Sequence, residues 1–129
     1  MLGRIIELSV VVRDLEDAAR RFSGTFGLEV TRRGESEQFG FKNAILPTGD
    51  SHIELVQPTD PSKAVARFLE QRGEGVYLVG FEVDDVAEAV RSLREKGVRV
   101  SEGGPGVAWV HPSEAHGVFV ELLQKERQS

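Results

Sequence analysis

The chain repeats itself, and this internal duplication constrains its fold more than any other feature of the sequence. Three pairs of segments match in order along the chain: 12–18 with 83–89, 27–30 with 97–100, and 53–55 with 120–122. The offset falls slightly from the first pair to the last, as loops of unequal length would produce. The sequence is therefore predicted to contain two copies of one β-α-β-β-β unit.

The first copy begins with a β-branched strand over 5–12. Asp14 is placed to cap a helix over 15–26, whose apolar residues recur at helical spacing and which ends near Gly27. Turn residues then separate three short strands, predicted at 28–32, 39–46 and 51–56.

The second copy repeats this order. A strand over 76–83 leads to Asp85, which caps a helix that Gly97 stops. Three short strands follow, at 98–101, 107–111 and 117–123. Tyr77 alternates away from Leu78 and is expected to pack under a helix.

A unit of about 50 residues cannot bury its own sheet, so the two sheets should associate and curve around a shared space. We therefore predict a single domain over residues 1–126 of the α+β class, with an open, curved and mixed β-sheet barrel. Its parts are module one (3–58), a connector helix (59–73) and module two (74–124).

Composition excludes several classes of function. The 129 residues carry a formal net charge of −5, which disfavours nucleic-acid binding. The absence of Cys removes disulfides, thiolate ligands and a cysteine nucleophile. No apolar run approaches the roughly 20 residues of a membrane span, and Arg4 and Glu7 interrupt any signal segment. A soluble, cytoplasmic protein is expected.

Alternation along the strands points several polar side chains away from the helices. Glu7 and Ser9 share one face of the first strand, and His52 shares a face with Glu54 on the fourth. The repeat equates Glu54 with Glu121. The remaining positions predicted to line the same cavity are Leu78, Gly80 and Phe119. An acidic residue inside an otherwise apolar strand is uncommon, so two at matching positions need a cause.

Several segments together resemble the vicinal oxygen chelate superfamily. They are Ile5-Ile6-Glu7-Leu8-Ser9, Ile53-Glu54-Leu55-Val56-Gln57-Pro58, Arg72-Gly73-Glu74-Gly75, Phe81-Glu82-Val83-Asp84-Asp85, His111-Pro112 and Val118-Phe119-Val120-Glu121-Leu122. This superfamily includes glyoxalase I, bleomycin-resistance proteins, extradiol dioxygenases and the methylmalonyl-CoA epimerases, which the chain resembles most. The resemblance implies paired β-α-β-β-β modules in an open barrel, often within a homodimer.

The resemblance also implies where a metal would bind. Metal-using members carry a His in each first strand and a Glu or Gln in each last strand. The last-strand pair corresponds to Glu54 and Glu121, but Glu7 and Leu78 occupy the two first-strand positions. If Glu7, Glu54 and Glu121 converge, two charges about 5 Å apart would repel by roughly 3 kcal/mol at an effective dielectric constant of ~20.

A cation would relieve that repulsion. Oxygen ligands suit Mg, Mn or Ca better than Zn or Fe, and His52 is a further candidate ligand beside the three Glu residues. The alternative is that Leu78 marks a lost site and that the carboxylates only hydrogen-bond Ser9 and nearby backbone.

Two functions follow from these residues. The first is a glyoxalase- or epimerase-like enzyme, an isomerase or lyase that abstracts a proton next to a carbonyl or CoA thioester, with Glu121 or Glu54 as the base. The second is a non-catalytic small-molecule binding protein of the bleomycin-resistance type. An extradiol dioxygenase is less favoured, because redox iron normally needs two His and one carboxylate. The resemblance to the epimerases also implies that Glu35 or Glu37 is a candidate base. Trp109 is expected to fill the core.

Overall fold

The structure is a computed structural model in which residues 1–126 are described. The first module contains β1 (Ile5–Val11), α1 (Leu15–Phe26), β2 (Arg32–Ser36), β3 (Phe41–Thr48) and β4 (Ser51–Pro58). Helix α2 (Ala64–Arg72) connects it to the second module. That module contains β5 (Gly75–Val83), α3 (Val86–Glu95), β6 (Val100–Glu102), β7 (Val107–Val110) and β8 (Val120–Gln124), with a 3-10 turn at Pro112–Glu114.

The predicted α+β fold with two β-α-β-β-β modules is confirmed. The sheet is mixed and open, with the strand order β2-β3-β4-β1-β5-β8-β7-β6. In both modules the first and last strands are parallel, whereas the other pairs within a module are antiparallel. None of the helices within residues 1–126 has the length and apolar character needed to cross a membrane.

Two compact units divide the chain. The first unit is residues 7–77, and the second unit joins residues 1–6 to residues 78–126. The N-terminal residues cluster with the second unit because the Gly3 amide donates to the Glu82 carbonyl at 2.7 Å and the Glu82 amide donates to the Arg4 carbonyl at 2.9 Å. The single domain over 1–126 and its module boundaries stay predictions.

In the first unit, helix α1 covers one face of the sheet. Asp14 caps the helix by accepting a hydrogen bond from the Asp17 amide at 3.0 Å, and Gly27 ends it with a φ of 72°. The buried residues of this core are Val12, Leu15, Ala19, Ala44, Leu46 and Leu55. Both predicted helix ends are therefore confirmed, and the apolar face lies under the helix as expected.

Helix α2 covers the end of the opposite sheet face in the same unit. Val65 of the helix packs with Val11 and Val56 of the strands. Phe68 meets Tyr77 edge to face, with 5.1 Å between ring centroids. This contact confirms that Tyr77 packs under a helix.

In the second unit, helix α3 covers the corresponding sheet face. Asp85 accepts a hydrogen bond from the Glu88 amide at 3.1 Å, which repeats the cap of α1. The buried core is formed by Val83, Val86, Ala89, Val90, Ala108, Val110, Val120 and Leu122.

Four predicted strands begin too early. Strand β3 begins at Phe41 rather than at residue 39, and β6 begins at Val100 rather than at residue 98. Residues 28–31 are not a strand, and β2 begins at Arg32, because Leu28 and Val30 pack against the core beneath α1 as an irregular segment. Strand β8 begins at Val120 rather than at residue 117, because Gly117 turns the chain with a φ of 93° after the 3-10 turn.

Candidate functional site

Glu54 lies at the centre of a hydrogen-bond network in the first unit. Ser9 Oγ donates to Glu54 Oε1 at 2.6 Å, and Asn43 Nδ2 donates to Glu54 Oε2 at 2.6 Å. Ser9 is buried, whereas Asn43 and Glu54 are half-buried. Each oxygen of the carboxylate is therefore held by a neutral donor from a different strand.

Glu7 and His52 form a second polar pair on the same sheet face. The distance between His52 Nε2 and Glu7 Oε1 is 2.8 Å, and the two side chains are 29% and 14% exposed. A carboxylate and an imidazole in direct contact can exchange a proton.

Strand pairing produces both contacts. In the parallel register of β1 and β4, Glu7 lies opposite His52 and Ser9 lies opposite Glu54. Leu55 is buried beneath α1, which leaves Glu54 on the other face of the sheet. The predicted shared faces of Glu7 with Ser9 and of His52 with Glu54 agree with these contacts.

The second unit presents its own carboxylate. Glu121 is 8% exposed, and Trp109 Nε1 donates to Glu121 Oε2 at 2.9 Å across the antiparallel pairing of β7 and β8. The Trp109 ring lies so close to Gly103 that a Cβ there would collide with it. The indole is thus held between a glycine and a carboxylate, so it has a polar contact beyond the core-filling role expected for Trp109.

The remaining predicted cavity residues lie around Glu121 in the second unit. Gly80 is paired with Glu121 in the parallel register of β5 and β8, Leu78 is buried, and the Phe119 carbonyl accepts a hydrogen bond from the Val79 amide at 3.0 Å. Their assignment to a cavity stays a prediction, as does the convergence of Glu7, Glu54 and Glu121.

Sequence reasoning missed Asn43. It is the only asparagine of the chain, and it lies in an apolar strand where the alternation places it with Phe41 and Ile45. Ile45 lies opposite Glu54 in the sheet, so Asn43 is one diagonal step from the carboxylate. In the sequence, the only sign of this role is a single amide side chain within an apolar strand. The contact with Glu54 becomes visible only from the register of β3 against β4.

Glu35, which was a weaker candidate for the base, lies in β2 opposite Lys42.

The donor set does not fit the imidazole-based metal site that the resemblance implies. Glu7 and Leu78 supply no imidazole at the two first-strand positions. Within residues 1–126, no group of three or more His, Asp or Glu side chains is arranged to hold a metal ion. The assignment of Glu7, Glu54, Glu121 and His52 as metal ligands stays a prediction.

Comparison with known proteins gives consistent matches over nearly the whole chain. An ethylmalonyl-CoA/methylmalonyl-CoA epimerase of Cereibacter sphaeroides is 31% identical over 96% of this chain and 99% of that protein. A mitochondrial methylmalonyl-CoA epimerase of Bos taurus is 32% identical over 95% of this chain and 75% of that protein.

Solved structures agree with these relatives. A variant of Streptomyces coelicolor methylmalonyl-CoA epimerase in complex with 2-nitronate-propionyl-CoA has a TM-score of 0.88 at 31% identity, covering 98% of this chain and 100% of that one. A methylmalonyl-CoA epimerase in complex with methylmalonyl-CoA and NH4+ has a TM-score of 0.87 at 32% identity, covering 97% and 96%. Residues 8–109 match the Glyoxalase/Bleomycin resistance protein/Dioxygenase superfamily. With its paired modules and this match over most of its length, the chain belongs to that superfamily.

Proposed function

We propose that this protein transfers protons at the carbon next to the thioester carbonyl of a small acyl-CoA, as an epimerase. The observation that carries the proposal is the sequence match to an ethylmalonyl-CoA/methylmalonyl-CoA epimerase. The two proteins are 31% identical, and the match covers 99% of the epimerase. The solved epimerase complexes contain CoA thioesters or their analogues, which suggests the substrate class.

Glu54 and Glu121 are assigned to the two proton transfers. One carboxylate takes the proton from the carbon, and the electron pair moves onto the thioester carbonyl oxygen to give an enolate. The other, as a carboxylic acid, returns a proton to the opposite face of that carbon, which inverts its configuration. Their matching positions in the two repeats, in strands β4 and β8, support this assignment.

Metal content is a separate part of the proposal. Oxygen-rich ligands would favour Mg, Mn or Ca over Zn or Fe. Elemental analysis of the untagged protein before and after chelation tests this directly. We expect Glu54→Gln and Glu121→Gln each to weaken retention of any ion found, and unchanged retention would show that the ion binds elsewhere.

Deuterium exchange tests the activity. Incubated with methylmalonyl-CoA in D2O, the wild-type protein should introduce one deuterium at the carbon next to the thioester, detected by mass spectrometry. Glu54→Gln and Glu121→Gln should each slow interconversion of the two epimers by roughly 10²- to 10⁴-fold, because an amide can neither take nor return the proton. The matched control is Glu29→Gln, at an exposed position after α1. Absence of exchange by folded wild-type protein would refute the proposal.

The alternative is a non-catalytic binding protein. It is favoured by one observation, that Glu7 and Leu78 stand at the two positions where the resemblance implies metal-binding His residues. The net charge of −5 would then suit a cationic ligand. A rise in Tm with a small cationic or aromatic ligand, without deuterium exchange, would support it.

We also propose that the protein forms a homodimer and is located in the cytoplasm. Sedimentation analysis tests the homodimer, and cell fractionation tests the location.

A further inference from the structure

We propose that Asn43 is a positioning residue, which together with Ser9 fixes the Glu54 carboxylate for proton transfer. This inference rests on the proposed function. Asn43 Nδ2 lies 2.6 Å from Glu54 Oε2, and Ser9 Oγ lies 2.6 Å from Glu54 Oε1. Two donors on two different oxygens restrain rotation of the carboxylate in a way that one donor could not.

The orientation of the Asn43 amide is itself determined. A carboxylate oxygen only accepts hydrogen bonds, so the amide must turn its nitrogen toward Glu54. The amide oxygen then lies over Gly34, the residue paired with Asn43 across β2 and β3. A Cβ at Gly34 would be 2.9 Å from Asn43 Oδ1, so the missing side chain makes room for the amide.

The arrangement leaves Glu54 able to act. Each carboxylate oxygen has two lone pairs, so one on each oxygen remains after the bonds from Ser9 and Asn43. Each residue of this arrangement lies in a strand, and strands are more rigid supports than loops. In the order of the neighbouring strands β2, β3, β4 and β1, the residues are Gly34, Asn43, Glu54 and Ser9. Displacing a reacting group by about 1 Å can cost roughly 10²-fold in rate, so loss of this restraint should reduce turnover.

The test replaces Asn43 by a residue of similar size without donors. Asn43→Leu should lower kcat for epimerisation by about 10- to 100-fold while KM changes by less than about 3-fold. In a Glu54→Gln background the same substitution should have little further effect, because the group being positioned is already inactive. Gln38→Leu, at an exposed turn position, is the matched control.

Gly34→Ala gives a second test that removes no polar group. The added methyl would push the Asn43 oxygen, and kcat should fall as it does in Asn43→Leu. Selective 15N labelling of asparagine gives a single side-chain amide, because Asn43 is the only asparagine. Its resonance should move in Glu54→Gln and in Gly34→Ala but not in Glu29→Gln. Circular dichroism confirms that each variant is folded.

The outcomes separate this inference from the proposed function. Active wild type with unchanged kcat in folded Asn43→Leu and Gly34→Ala would overturn the positioning role alone. If the chemical shift of the Asn43 side-chain amide is the same in Glu54→Gln as in wild type, the positioning role is also overturned, whatever the activity. Inactive wild type would overturn both. Reduced kcat with nearly constant KM, together with a displaced amide resonance, would support the positioning role.

Discussion

The side-chain oxygen of Gln57 accepts a hydrogen bond from the backbone amide of Leu15 at 2.8 Å. The second module repeats this contact, since Gln124 accepts from the Val86 amide at 2.9 Å. Each glutamine lies in the last strand of its module and contacts the first residue of the helix in that module. The first four backbone amides of a helix have no hydrogen-bond partner within the helix. Each glutamine therefore accepts from an amide that has no acceptor inside its own helix.

Removing either glutamine should destabilise its module. Gln57→Ala is expected to lower the free energy of unfolding by about 1 kcal/mol, the usual net value of such a hydrogen bond. Gln124→Ala should lower it by more, because Gln124 Nε2 also donates to the Asp84 carbonyl. Urea denaturation followed by circular dichroism measures the change. Gln71→Ala, on the exposed face of α2, should leave stability nearly unchanged. Equal effects of all three substitutions would contradict the helix-start role.

Truncation of the equivalent core leucines should be far more damaging. Leu55 and Leu122 are both 0% exposed, and each lies beneath its own helix. Leu55→Ala and Leu122→Ala should each cost about 2–5 kcal/mol in unfolding free energy, because each leaves a cavity. Leu2→Ala is the control, since Leu2 is 49% exposed. A loss below about 1 kcal/mol at either core position would contradict this expectation, because it would mean that no cavity remains there.

The indole of Trp109 should stabilise the second unit through Glu121. Trp109→Phe keeps an aromatic ring but removes the Nε1 donor 2.9 Å from a carboxylate that is 8% exposed. The expected loss is about 1–3 kcal/mol. Circular dichroism must follow unfolding, because Trp109 is the only tryptophan. If Phe26→Leu, at an exposed aromatic position, costs as much, the loss is unrelated to the donor.

Asp60 gives a prediction about pH. The Ser62 amide and hydroxyl donate to Asp60 Oδ1 at 2.9 and 2.7 Å, and these bonds, helped by Lys63, lower the pKa of Asp60 below its ordinary 3.8. Because the pKa is lower in the folded state, the stabilisation is complete above the unfolded value and is lost as pH falls through the folded one. Ser62→Ala removes only the hydroxyl donor, so the pKa of Asp60 should rise part of the way back.

An NMR titration of the Asp60 carboxyl carbon measures that shift. The control is Ser101→Ala, an exposed position in β6. A midpoint for Asp60 that is the same in Ser62→Ala as in wild type would show that the hydroxyl contributes nothing to the lowered pKa.

Most of the fold could be predicted because its signals are local or repeated. The helix caps at Asp14 and Asp85 depend on residues only three positions away. Because the chain is duplicated, the pattern of strands and helix found in one module could be checked against the other. The position of β2 could not be predicted in this way. Leu28 and Val30 alternate as a strand would, yet their packing against α1 decides their structure, and that contact is tertiary.

The candidate site was predicted less completely. Alternation alone placed Ser9 and Glu54 on faces that can meet, and the named alternative, hydrogen bonding between them, is present. The donors Asn43 and Trp109 were not identified as partners of acids, because their contacts depend on antiparallel register. A sequence gives the period of a strand, but turn geometry fixes which residues face each other.

The β3–β4 hairpin carries this dependence to a distant turn. Thr48 pairs with Ser51, so only Gly49 and Asp50 form the loop, and Gly49 adopts a φ of 64° as such short turns require. If the register of β3 against β4 shifted by one residue, Asn43 would point to the face of the sheet that the helix covers. Glu54 would then lose the hydrogen bond from the Asn43 amide. Gly49 therefore influences where Asn43 lies relative to Glu54, because the two-residue loop that it forms fixes the register of β3 against β4.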